Sequence, residues 1–183
     1  MNQRNVFRSV YISLLLLAVI ISMGSGHALT GAPAWVKQGS SALKTAEGRI
    51  FHGVGSAPVM GSLPLQESVA DNRARDEIKK ILTSYLHSLW RDFNVSGQTQ
   101  EEGTAQAKAS QEINKISKDY FSEVPVMDHW RDMNNGVVYA VAELTMEQVK
   151  LILSQAKAVN EGLKAHVKVQ GDAVFDRFAQ GKK

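Results

Sequence analysis

Cysteine is absent from the 183 residues. That excludes a disulfide scaffold, a thiolate zinc centre, a cysteine nucleophile, an iron–sulfur cluster and any lipid carried on cysteine. A strong charge of one sign is also missing: 21 basic against 18 acidic residues leave a formal net charge of +3. Arg4 and Arg8 lie within residues 1–28, where there is no acid, so beyond residue 28 the excess shrinks to a single charge. A nucleic-acid partner needs a basic footprint that this balance does not supply. The apolar run over 10–23 (VYISLLLLAVIISM) is short of the roughly 20 residues a spanning helix requires. Neither an internal repeat nor a low-complexity tract is present.

The catalytic motifs are incomplete as well. Gly53-Val54-Gly55 would need a third glycine where Pro58 stands, and an immediate helix, to make a dinucleotide loop. A bulge or a close backbone approach is the reading that remains for those glycines. Ser56 does not sit in a G-x-S-x-G elbow. Beyond residue 28, His52, His87, His129 and His166 form no i,i+4 pair and no H-E-x-x-H. No metal, cofactor or catalytic residue is therefore assigned, and the chain is read as not an enzyme. A hydrolase built on Ser56 and His129 is the weakest of the alternatives.

What is present first is an address. Two arginines, the apolar run and Gly26-His27-Ala28 have the order of a secretory signal, with cleavage expected after Ala28. An exported chain without cysteine fits a bacterial periplasm, and Asn94-Val95-Ser96 is then an idle glycosylation triplet. If uncleaved, residues 1–28 would instead anchor the chain in the inner membrane.

Residues 29–48 read as an irregular lead-in with Trp35 as a buried anchor. Residues 49–56 (RIFHGVGS) alternate like a strand, and 57–64 read as a loop. From 65 to 93, Ala70, Ala74, Ile78, Ile81, Leu82, Tyr85, Leu89 and Phe93 recur at helical steps and make one apolar stripe. Glu67, Asp71, Arg75 and Lys79 lie at four-residue spacing, as in helix-surface pairing. A second helix is expected over 99–121, opened by the Thr99 capping box. Two strands follow, 124–131 and 137–144, with Asn135-Gly136 as a hairpin cue. The second has apolar residues on both sides, which predicts a second layer or a partner there. Thr145-Met146-Glu147-Gln148 repeats the capping box and opens a third helix. Over 161–183, Gly162 and Gly171 predict a broken helix with a frayed Lys182-Lys183 end.

The order predicts an α+β fold, a small antiparallel or mixed sheet with helices on one face. Domains are read as 1–28 signal, 29–48 lead-in, 49–160 α+β domain and 161–183 helical tail. Asp128-His129-Trp130-Arg131-Asp132 is the densest polar stretch, but strand neighbours face opposite ways and cannot converge. Trp130 is expected to fill the core beside cross-strand ion pairs, so Trp130→Ala should cost roughly 3–5 kcal/mol. Trp130, Tyr139, Phe175 and Phe178 are the candidate interaction residues, although the Phe175/Phe178 cluster reads first as core capping and second as a contact patch.

Several ordered motifs resemble the lipoprotein-20 family of bacterial envelope proteins. They are Pro33-Ala34-Trp35-Val36, Val54-Gly55-Ser56-Ala57, Ala70-Asp71-Asn72-Arg73-Ala74-Arg75, and Trp130 followed by Gly136-Val137-Val138-Tyr139-Ala140-Val141-Ala142-Glu143-Leu144. The resemblance covers roughly residues 33–153. It implies an exported, non-enzymatic α+β domain, usually an outer-membrane lipoprotein and in some members a flagellum-associated one. This chain departs from the family in lacking the cysteine that carries the lipid, so acyl anchoring is chemically excluded and free periplasmic residence is expected. The resulting expectation is a periplasmic structural, assembly or interaction module whose partners are other envelope proteins or a second copy of itself. The alternative is a periplasmic small-ligand binding protein with a pocket near Gly53, Pro58 and Trp130.

Overall fold

A computed structural model of the chain describes residues 31–95, 111, 114–116, 118–119, 124–157, 159 and 161–181. The signal expected over 1–28, the cap and most of the helix expected over 99–121, and the Lys182-Lys183 end lie outside the described residues. The described elements run α1 (Ala34–Gln38), β1 (Ser41–Thr45), β2 (Gly48–Ala57), α2 (Leu63–Val95), β3 (Val126–Arg131), β4 (Val138–Thr145), α3 (Met146–Gln155) and α4 (Glu161–Gln180). The fold is α+β. Its four strands form one antiparallel sheet in the order β1-β2-β4-β3.

The sheet and α2 are fitted to each other by size. Along β2, Phe51, Gly53, Gly55 and Ala57 point toward α2, and all four are buried. The α2 stripe places Ala70, Ala74 and Ile78 against them, buried as the spacing predicts. A Cβ added at Gly53 would lie 2.8 Å from the Ile78 nitrogen. One added at Gly55 would collide with the Ala70 carbonyl and lie 2.8 Å from the Arg73 carbonyl carbon. The glycines therefore let the helix backbone rest on the strand backbone. On the neighbouring strand Ala140 and Ala142 continue this shallow seat.

Farther along α2 the gap widens and aromatic rings fill it. Phe51, Tyr85 and Phe175 meet edge-to-face, with centroids 5.2 Å (Phe51–Tyr85) and 4.9 Å (Phe51–Phe175) apart. The Tyr85 hydroxyl donates to the Gly171 carbonyl at 2.9 Å, and burial pushes its phenol far above the ordinary value. Gly171 does not break α4, which runs unbroken from Glu161 to Gln180 and corrects the expected interruption. Its missing side chain leaves room for Tyr85 and Met146, the nearest atoms a Cβ would meet.

Residues 29–48 are not the irregular lead-in expected from composition. They contain α1 and edge strand β1, joined to β2 by the two-residue turn Ala46-Glu47. Trp35 is only half-buried, and Val36 is the anchor. The contact of α1 with β4, with Val36 and Val141 both buried, places this short helix over the sheet face away from α2. The second layer foreseen on that face is thus part of the chain itself.

The capping box at Thr145 forms: Gln148 N–H donates to Thr145 Oγ1 at 3.2 Å, and Thr145 N–H donates to Gln148 Oε1 at 2.8 Å. The intrahelical pairing expected of Asp71 and Arg75 gives way to longer reach. Asp71 meets His129 on β3, and Arg75 donates to the Val124 carbonyl at 2.9 Å. Arg49 grips Asp176 of α4 with two bonds of 2.8 Å each. That bidentate bond lowers the Asp176 pKa and raises that of Arg49.

Two outcomes follow. Gly55→Val should cost about 3 kcal/mol or more in a urea titration, because backbone rather than a movable side chain blocks the space; a loss under about 0.5 kcal/mol would contradict the seat. Asp176 titrates lower folded than unfolded, so its stabilisation is complete above about pH 5 and is lost as pH falls through the folded value. The difference in stability between the wild type and Asp176→Asn should therefore shrink steadily below pH 4, whereas a constant difference would mean the ion pair contributes nothing.

Candidate interaction surface

One end of the molecule is built from the β2–α2 connection and the β3–β4 hairpin. From Ala57 to Gln66 the chain carries no charged residue. Among the described residues nine large hydrophobics are exposed, and five of them, Val59, Met60, Leu63, Leu65 and Met133, lie on these two loops or the adjoining first turn of α2. Val59 is 69% and Met133 80% exposed. Such clustering of exposed apolar side chains is the mark of a contact surface.

The tip is held rigid from beneath. Gln66 is buried, and its side-chain amide donates to the Ala57 carbonyl at 3.0 Å and to the Gly136 carbonyl at 2.6 Å. One side chain thereby ties the two loops together. The hairpin forms where Asn135-Gly136 signals it, closed by a loop longer than a two-residue turn. Asp132 N–H donates to the Val137 carbonyl at 2.8 Å, and the Asp132 carboxylate accepts from the Asn134 backbone and the Asn135 side chain. Only Gly136 has a positive φ, 67°. A type I′ turn would need two such residues, so the wider loop closes on buried Asp132 instead.

The four predicted contact residues separate into two pairs. Trp130 and Tyr139 are cross-strand neighbours on the face away from α2, with ring centroids 5.5 Å apart. Both are half-buried. Trp130 does not fill the core, because β3 is the edge strand and its indole lies on the less covered face; the ion pairs expected beside it are replaced by His129 to Asp71 on the opposite face. Phe175 is completely buried among Phe51 and Tyr85, so the core-capping reading holds for it and the contact reading does not. Phe178 is half-buried against Tyr85 at 5.9 Å.

The other constellations offer no open chemistry. Ser56 and His129 face opposite sides of the sheet, so they cannot act as a nucleophile–base pair. On the side of Gly53 and Gly55 that faces α2, the helix backbone fills the space, while Trp130 lies on the opposite face of the sheet. A row that sequence reading missed runs across three strands: Ser41, His52 and Glu143 are register partners. His52 Nδ1 lies 2.9 Å from Glu143 Oε1. Yet Ser41 Oγ and His52 Nε2 are sealed from solvent and not bonded to each other, so the row has the residue types of a relay without access or contact. Local pattern does not reveal this row, because β1 is defined by its pairing with β2. Among the described residues there is no group of three or more metal-ligating side chains and no helix long and apolar enough to cross a membrane.

No protein-family model matches the chain, and no curated protein does either. The likeness to the lipoprotein-20 family rests on its motifs alone.

Gln66→Ala should destabilise the domain by about 1–3 kcal/mol, since it leaves two carbonyls without their donor. Trp130→Ala should cost only about 1 kcal/mol, close to the value of one aromatic pair plus partial burial. A loss of 3 kcal/mol or more at Trp130 would restore it to the core.

Proposed function

We propose that this chain is an exported structural or assembly module of the bacterial cell envelope, working by protein contact rather than by catalysis. The observation that carries the reading is the rigid apolar tip of Val59, Met60, Leu63, Leu65 and Met133, flanked by the half-exposed Trp130–Tyr139 pair. A large aromatic beside aliphatic side chains is the composition of an interface centre. Export is supported by the order of charges, apolar run and small residues over 1–28. The motifs shared with the lipoprotein-20 family support an envelope role, and the absence of cysteine directs it to the periplasm rather than to an acylated surface. The partner is another envelope protein or a second copy of the chain.

Placing a photo-crosslinking amino acid at position 133 and, as a control, at the exposed position 80 in the native host tests this reading. A discrete adduct at 133, absent at 80 and lost on Val59→Ser with Leu65→Ser, is the expected result in the periplasmic fraction. Equal labelling at both positions, or recovery of the protein from the cytosol, would contradict it.

A further inference from the structure

A second concave surface lies away from the tip, between α3 and α4. It encloses about 560 Å³, within the range of small-molecule sites. Its floor is Leu153 and Val167, both buried, and Leu151 forms an exposed wall. Lys150, Lys164 and Lys168 stand around it, against the single acid Glu161. Lys164 and Lys168 are one turn apart and share a face of α4. Two of these charges already have partners: Lys150 Nζ lies 2.6 Å from Asp172 Oδ1 without a directed hydrogen bond, and Lys164 Nζ lies 2.9 Å from Glu161 Oε1. Among the described residues Lys168 makes no ion pair.

We infer that this groove binds one single-chain anionic amphiphile of the fatty-acid type, with the carboxylate at Lys164 and Lys168 and the alkyl chain along Leu151, Leu153 and Val167. Charge complementarity selects the headgroup. The lining selects the body. Both walls are helices, which present no strand edge to the groove, and the Ser154 hydroxyl donates to the Leu151 carbonyl at 2.7 Å. An extended peptide would find no strand edge to pair with along the floor, whereas an alkyl chain needs none. Lysine stems extend the apolar wall while their ammonium groups remain at the rim. The single groove takes one chain, which favours a free fatty acid over a two-chain lipid.

The probe is laurate below its micellar concentration, titrated into isotope-labelled protein recovered from the host and followed by amide chemical shifts. The expected result is saturable one-to-one binding with shifts centred on Leu151, Ala165 and Lys168. Laurate should bind more tightly than octanoate, because each buried methylene strengthens binding by up to about fourfold. Dodecyl maltoside and dodecyltrimethylammonium, with the same chain and no anion, should bind at least tenfold more weakly. Lys164→Glu with Lys168→Glu should weaken laurate at least tenfold, and Ala165→Trp, at an exposed position, should abolish binding by filling the groove. Circular dichroism on each variant checks that the fold persists. Equal affinity for the maltoside, no effect of charge reversal in a folded variant, tighter binding of an acidic peptide than of laurate, or shifts centred on Val59 and Leu65 would each overturn the inference.

Discussion

The contact on which the rest of the structure depends is the one between the backbones of β2 and α2. Gly53 and Gly55 remove the side chains that would hold helix and strand at ordinary distance, and Ala70 and Ala74 remove them from the other side. A close seat of this kind fixes the rotation of α2 about its axis, because turning the stripe would bring a larger residue onto the strand. Once that rotation is set, Tyr85 falls over Phe51, and Gln66 falls beneath the two loops. The aromatic cluster and the tip are thus positioned by the same seam at two points along one helix of 33 residues.

Around the seam polar links reinforce the core that α3 and α4 add to it. Arg49 holds β2 to α4 through Asp176. His166 and Arg177 of α4 both reach Asp92 near the end of α2, His166 at 3.0 Å. Tyr85 joins α2 to α4 again through Gly171. These bonds brace α4, and so fix one wall of the lysine-rimmed groove, while the tip is braced independently through Gln66 and Asp132. The two surfaces therefore need not communicate, and a ligand in the groove should leave the tip unaltered.

Much of this was readable from spacing alone. The α2 stripe, the strand at 49–56, the hairpin strands and the Thr145 cap each depend on local periodicity or on a short polar motif, and local rules suffice for them. What failed were features decided by distant partners. Strand β1 (SALKT) has no strong alternation and turns through Ala46-Glu47, without the Asn-Gly or Asp-Gly signal that marks a short hairpin, so only its pairing with β2 defines it. The expectation that the Trp130 indole fills the core fails because the strand order puts β3 at an edge. Spacing leaves the Phe175/Phe178 cluster open between core capping and a contact patch; α4 folds back over the sheet and buries Phe175. From sequence the tip reads only as a loop. Its signal was available as an uncharged run with Val59, Met60, Leu63 and Leu65, but that run becomes a surface only when Gln66 draws it against the hairpin.

The most direct test of the central claim is native-state amide hydrogen exchange, resolved residue by residue. If the β2–α2 seam organises the domain, the slowest amides should be those of Phe51 to Gly55 and of Ala70 to Leu82, exchanging only by global unfolding, with β1 and α1 opening more readily. If instead the seam amides exchange as fast as those of β1, while α4 or the hairpin is slowest, the domain is organised elsewhere and the close seat is a consequence rather than a cause.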